Sequence, residues 1–87
     1  MLNAQYGTPK VISSTGTVNS QTGRLVGFFC NSTSSGTLVL RDGGASGTAI
    51  SGTITPSAGT FYPFPAVYGT DLHCTVANTI NVTFFIS

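Results

Sequence analysis

The sequence has no tryptophan and no glutamate, and its only charged side chains are Lys10, Arg24 and Arg41 against Asp42 and Asp71. Charged residues make up 6% of the 87, where about 25% is usual for soluble domains. Three scattered cations and a net charge of +1 give no electrostatic footprint for DNA or RNA, so nucleic acid is not expected as a partner. Nor is a membrane, because no run approaches the roughly 18 apolar residues of a spanning helix. Met1-Leu2-Asn3-Ala4-Gln5 lacks the basic-then-apolar order of a signal peptide, which predicts synthesis in the cytoplasm.

Groups that move protons or attack carbonyls are also scarce: one histidine and two aspartates. Asp71 and His73 lie two apart on one strand face, where a carboxylate could orient an imidazole and a serine from elsewhere complete a hydrolytic trio. No Gly-x-Ser-x-Gly elbow accompanies them, and an exposed polar strand face accounts for the spacing. A glycosidase pair would have to be Asp42 and Asp71, both in or beside turns. Arg41-Asp42-Gly43-Gly44 offers one carboxylate in a glycine-rich turn, too little for calcium, which takes six or more oxygens. Cys30 and Cys74 with one distant histidine are not a zinc site. Each falls on the apolar side of its strand pattern, as a buried thiol or as half of a single disulfide. No catalytic residue, metal or cofactor is expected, and the chain reads as non-enzymatic.

Serine, threonine and glycine replace the missing charge. A chain of this length forms one domain and buries only about 60 to 65% of its unfolded surface, so its core is thin. Low charge and a thin core together predict that much of the surface is covered by a partner subunit. The alternative is a secreted, hydroxyl-rich β domain that stays monomeric.

Residues 1 to 9 show no alternation and contain Gly7 and Pro9, which predicts an N-terminal arm whose large apolar residues are Leu2 and Tyr6. Residues 10 to 87 then read as a single β-sandwich domain. Lys10 to Asn19 is a weak strand ended by a turn over Asn19 to Gly23. Arg24 to Cys30 is apolar on both faces, with Gly27 placed where a backbone or a bulky side chain approaches closely. Asn31 to Gly36 reads as a polar loop, followed by an alternating strand from Thr37 to Arg41. Asp42-Gly43 is a hairpin signal leading to a strand over Thr48 to Thr55. Asp71 to Val76 and Thr79 to Ile86 alternate, separated by a turn at Ala77-Asn78. No helical window occurs. Together with the stretch from Thr60 to Tyr68, these segments predict an all-β fold: a small antiparallel β-sandwich or barrel of about seven strands, Greek-key or jelly-roll-like.

Thr60 to Tyr68 is the densest aromatic run. Alternation sends Phe61, Pro63, Pro65 and Val67 to one side and Tyr62, Phe64, Ala66 and Tyr68 to the other, so both faces are apolar. Pro63 and Pro65 lack N–H groups that would have pointed the same way, which predicts an edge strand closed to further addition. One aromatic face is expected to fill the sandwich and the other to meet a sister subunit. The expected subunit or capsid interface comprises Leu2, Tyr6, Pro9, Tyr62, Phe64, Tyr68 and Arg41. Exposed Tyr62, Phe64 and Tyr68 would also suit a platform for sugar rings.

The runs Gly23-Arg24-Leu25-Val26-Gly27-Phe28-Phe29, Ser35-Gly36-Thr37-Leu38-Val39-Leu40-Arg41-Asp42, Ala58-Gly59-Thr60-Phe61-Tyr62-Pro63-Phe64-Pro65 and Thr79-Ile80-Asn81-Val82-Thr83-Phe84-Phe85 resemble small all-β virion structural proteins of tailed bacteriophages. The likeness spans residues 23 to 87 and lies in strand-and-turn patterning rather than in a catalytic motif. It implies a virion component, foremost a capsid decoration (cement) protein that binds the head exterior as a homotrimer on the major capsid protein or another virion protein. Made in the host cytoplasm, such a chain would work on the capsid surface. A head-fibre, tail or adaptor subunit, or a sugar-binding module for host attachment, are the competing expectations.

Overall fold

The computed structural model describes residues 8 to 87, and all of their regular structure is strand. Six strands follow in order: β1 (Thr8–Ile12), β2 (Gly16–Asn19), β3 (Gly23–Asp42), β4 (Thr48–Ala49), β5 (Thr60–Tyr68) and β6 (Leu72–Ile86). All pair antiparallel in one sheet. Its spine is the ribbon of β3 and β6, which pair from Leu25 opposite Ile86 to Arg41 opposite His73. β1 and β2 both pair with β6, on the margin away from β3, while β4 and β5 both pair with β3. The sheet stays open at both margins and does not close into a barrel.

Leu25, Leu38, Leu40, Leu72 and Phe84 have no exposed surface and belong to one core cluster. A single uncovered sheet cannot bury one of its faces so completely, so the ribbon must fold over and let its halves cover each other. The first half is four strands wide, in the order β1, β6, β3 and β5. The second holds β2, the other ends of β6 and β3, β4, and a bridge between Leu38 and Ile54. The resulting slab measures 35 × 28 × 17 Å between Cα extremes, and its least dimension accommodates two sheet layers about 10 Å apart.

The fold occurs where a loop and a turn were expected. Asn31 to Gly36 and Ala77-Asn78 are not chain reversals; both lie inside continuous strands, at the same height on the ribbon. Register shifts fall between Cys30 and Ser32 and between Ser34 and Ser35, where the extra residues bend β3. Ser35 and Asn78 adopt positive φ, 56° and 62°. Asparagine tolerates this region, and Asn78 Nδ2 donates to the Ser35 carbonyl at 2.8 Å, tying the two kinks together. Gly36 is required here for space. A Cβ at Gly36 would meet the Thr79 carbonyl oxygen and lie 2.6 Å from Ile80 Cβ.

Two expected pairs of strands therefore merge into β3 and β6, and the expected Lys10 to Asn19 strand divides into β1 and β2, which gives six strands. Thr8 and Pro9 belong to β1 rather than to an arm. Leu2 and Tyr6 lie outside the described residues. The expected strand over Thr48 to Thr55 is mostly irregular, because the Leu40 N–H is taken by the Ser51 hydroxyl at 3.0 Å in place of a backbone carbonyl. Cys30 and Cys74 are both free and both buried on the inner face.

Replacing Gly36 with alanine forces a methyl into backbone that cannot recede. Overpacking of this kind costs about 1–3 kcal/mol, and the urea unfolding midpoint of Gly36→Ala is expected to fall accordingly. Gly52→Ala, whose added Cβ meets nothing within 4 Å, should leave it nearly unchanged.

Candidate interaction face

The inner face of β5 is set by the core it must fill. Tyr68 is wholly buried, its hydroxyl accepting from Asn19 Nδ2 at 2.9 Å and its carbonyl accepting from the Thr22 hydroxyl. Tyr62 and Phe64 are half-buried and pack against the core; the Tyr62 ring stacks on Phe28 with centroids 5.2 Å apart. The Tyr62 hydroxyl accepts from the Ser57 N–H. The alternation read from the sequence is present, but the face expected to meet a subunit is the one that fills the sandwich. Both faces of β5 are apolar, so periodicity alone gave no means of choosing. With these three aromatics turned inward, the expected sugar platform is not on the surface. Arg41 is half-buried and donates to the Gly47 carbonyl at 3.2 Å, bracing the β3–β4 turn.

The outward residues of the four-stranded half form rows that cross all four strands. One row runs Pro9, Phe85, Gly27, Pro63, and the next Val11, Thr83, Phe29, Phe61. Arg24 and Val67 pair at one corner of the face. Gly27 leaves a gap in this surface, and the Phe61 ring closes it: a Cβ at Gly27 would lie 2.7 Å from Phe61 Cζ. Having crossed β3, that ring meets Phe85 edge-on, with centroids 6.0 Å apart. The result is an aromatic patch over Gly27, bordered by exposed Arg24 and by Asn31, whose Nδ2 donates to Asn81 Oδ1 and Thr83 Oγ1. Among the described residues, the large hydrophobic side chains left exposed are Val11 (63%), Phe61 (45%) and Val67 (75%), and all three are on this face.

Both margins of this face end in proline. Arg24 and Ser87 exchange both backbone hydrogen bonds, so Ile86 and Phe84 turn their own backbone groups towards β1, opposite Thr8 and Lys10. Pro9, between them, points its nitrogen to the open side. At the other margin Gly59 donates to the Cys30 carbonyl, so Cys30 and Phe28 both turn their backbone groups towards β5. Pro63, opposite Gly27, therefore presents its nitrogen outward, as does Pro65 two residues on. β5 pairs with β3 alone, as an edge strand.

The two carboxylates of the chain are committed elsewhere. Asp42 accepts from the N–H groups of Gly69 at 2.7 Å, Thr70 at 2.9 Å and Asp71 at 3.3 Å. Asp71 in return accepts from Gly43 at 2.9 Å and Gly44 at 3.0 Å, clamping the β5–β6 turn to the β3–β4 turn. These donors, Gly69 first, hold the Asp42 carboxyl below its ordinary value, the opposite of what a general acid needs. His73, expected to be exposed beside Asp71, is buried, and its Nε2 has no hydrogen-bond partner among the described residues. Asp71 accepts both turn bonds through Oδ1, and no hydrogen bond or salt bridge joins it to His73 among the described residues. No group of three or more His, Cys, Asp or Glu side chains suited to a metal occurs among the described residues.

The chain matches no family model, no curated protein and no solved structure. Geometry and residue chemistry therefore carry the functional argument, and they converge on the outer face.

Two outcomes follow from the buried and clamped groups. Because the folded-state pKa of Asp42 is depressed, its contribution to stability is present above its ordinary value of 3.8 and is lost as pH falls through the lower folded value. A plot of urea midpoint against pH should drop on this acid limb, and Asp42→Asn should flatten the limb while lowering the neutral plateau. Burial pushes the Cys74 thiol up to about 12 and raises Cys30 as well. A thiol reagent at mildly alkaline pH should leave both unmodified in the native protein and label both in denaturant.

Proposed function

We propose that this protein is a non-enzymatic structural subunit, held in a larger assembly by the outer face of its four-stranded half. The observation that carries the reading is the gathering of Val11, Phe61 and Val67, the exposed large hydrophobes of the described residues, onto that one face. Exposed apolar residues scattered over a surface need no explanation, whereas their collection on one face of one half supports an interaction surface there. Low charge supports the same reading, since an attachment made of apolar and hydrogen-bonding groups tolerates salt.

The assembly we propose is the virion of a tailed bacteriophage, with the protein on the outside of the head as a trimeric decoration subunit. Its support is the sequence resemblance over residues 23 to 87. A subunit that binds the assembled shell and not its separate parts stabilises that shell by mass action, opposing the outward pressure of packaged DNA. Quantitative mass spectrometry of purified particles, combined with labelling in electron micrographs, tests the reading. The protein should be present in multiples of three per particle and distributed over the head, and particles lacking it should rupture at lower temperature. Absence from particles, or a position confined to the tail, would remove the decoration role.

A further inference from the structure

We infer that the end of this outer face next to the bend is a binding site for a neutral saccharide, built on Asn31, Asn81 and Thr83 with Phe61 as its apolar wall. β3 has one extra residue between Cys30, opposite Val82, and Ser32, opposite Asn81. That residue is Asn31, and a bulge of this kind re-aims the side chain it carries. The Asn31 amide turns onto β6, where Nδ2 donates to Asn81 Oδ1 at 2.8 Å and to Thr83 Oγ1 at 2.9 Å. Both of its N–H groups are thereby used. Left over, with no partner among the described residues, are the Asn31 Oδ1 acceptor, the Asn81 Nδ2 donors and the Thr83 hydroxyl proton. A vicinal pair of sugar hydroxyls, each both donor and acceptor, is the complement of an acceptor fixed beside two donor groups.

The apolar side of a pyranose ring needs a wall, and the adjoining row supplies one. Phe29, two residues before Asn31, is paired with Thr83 on one side and Phe61 on the other. Phe61 is 45% exposed, and its ring is fixed by the hollow over Gly27 and by its edge contact with Phe85. An immobilised aromatic ring beside a few oriented polar groups is the usual make-up of a small-ligand site. Charge decides the class of ligand. Arg24 pairs with Val67, six residues along β5 from Phe61, which puts it roughly 20 Å away at about 3.3 Å per residue. Lys10, opposite the inward Phe84, is turned to the other side of its strand, and both aspartates are tied up in the turn clamp. A phosphate or carboxylate would find no counter-charge at the amide row, and an ammonium no carboxylate, whereas a neutral polyol needs neither. The separation from Val67 leaves that corner of the face for attachment, so this inference goes beyond the structural role and does not rest on it.

Nuclear magnetic resonance titration of the isotope-labelled full chain with methyl glucoside, methyl galactoside, methyl mannoside and N-acetylglucosamine tests this. At least one of these sugars should give saturable shifts centred on the side-chain amides of Asn31 and Asn81 and the backbone amide of Thr83. Its Kd should lie in the millimolar range, as suits a single ring on an open surface. Asn81→Ala and Phe61→Ala should each weaken that binding about tenfold, the scale of one lost hydrogen bond or ring contact. Thr48→Ala, exposed on β4 in the other half, should leave it unchanged, with circular dichroism checking that each variant keeps its fold. Glucuronic acid should bind no tighter than methyl glucoside. The inference is overturned by the absence of saturable shifts with all of these sugars, by shifts centred elsewhere, or by binding indifferent to both substitutions. Tighter binding of the uronate, or an equal response to a blocked glycine dipeptide, overturns it as well. The virion reading fails separately. Sugar binding by a protein absent from particles would keep this inference and remove that role, whereas a protein found on heads that binds no sugar would do the reverse.

Discussion

A sheet with one apolar side must cover that side with something, and the described residues of this short chain form no helix and leave few residues to spare. The solution here is to make the two longest strands serve both layers. β3 and β6 run through the whole molecule as one ribbon, and every other strand attaches to one of them. The ribbon doubles over at Ser35 and Asn78, so Leu38, Leu40, Leu72 and Cys74 of one half close on Phe28, Cys30, Val82 and Phe84 of the other. Everything else depends on that bend. Without it neither half buries its inner face, and the thin core is lost.

Covering the inner face by folding leaves the outer faces unprovided for. The half that carries β4 has little regular edge strand of its own, whereas the half that carries β5 presents a broad apolar plane. Natural sheets usually protect themselves with charge, particularly lysine, along edges and faces. This sequence has almost none to place. Proline on β1 and on β5 takes over part of that protective role at the margins of the four-stranded half. The low charge noted in the composition and the exposed Val11, Phe61 and Val67 both support the proposed attachment through that face.

Much of this was legible in the sequence, and the parts that were not have specific causes. β5 was read with its observed boundaries, because prolines fix its extended conformation and Gly59 and Gly69 punctuate it. The close approach at Gly27 was also readable, since a glycine inside a strongly β-forming run has few other uses. The continuity of β3 through Asn31 to Gly36 was not. Bulges and positive φ select serine, asparagine and glycine just as chain reversals do, so a bend within a strand and a turn between strands share a composition. The orientation of β5 was hidden for a different reason, because both faces of the strand carry large aromatic and apolar side chains and only the position of the core distinguishes them. The Asp42 and Asp71 clamp joins two turns nearly thirty residues apart, a tertiary fact that no local pattern carries.

The placement of β6 bears on how the chain acquires its structure in time. β6 is the last of the six strands, yet it is the partner of β1, β2 and β3, and its end at Ile86 lies opposite Thr8. β3 can pair with β4 and β5 beforehand, but β1 and β2 have nothing to pair with until residues 72 to 86 have left the ribosome. Such a topology delays productive closure until β6 has been made and makes it slow, because most pairings span large sequence separations. In that interval the unfinished chain displays strands whose partners do not yet exist. Pro9, Pro63 and Pro65, all made before β6, leave β1 and β5 short of outward N–H donors throughout that interval.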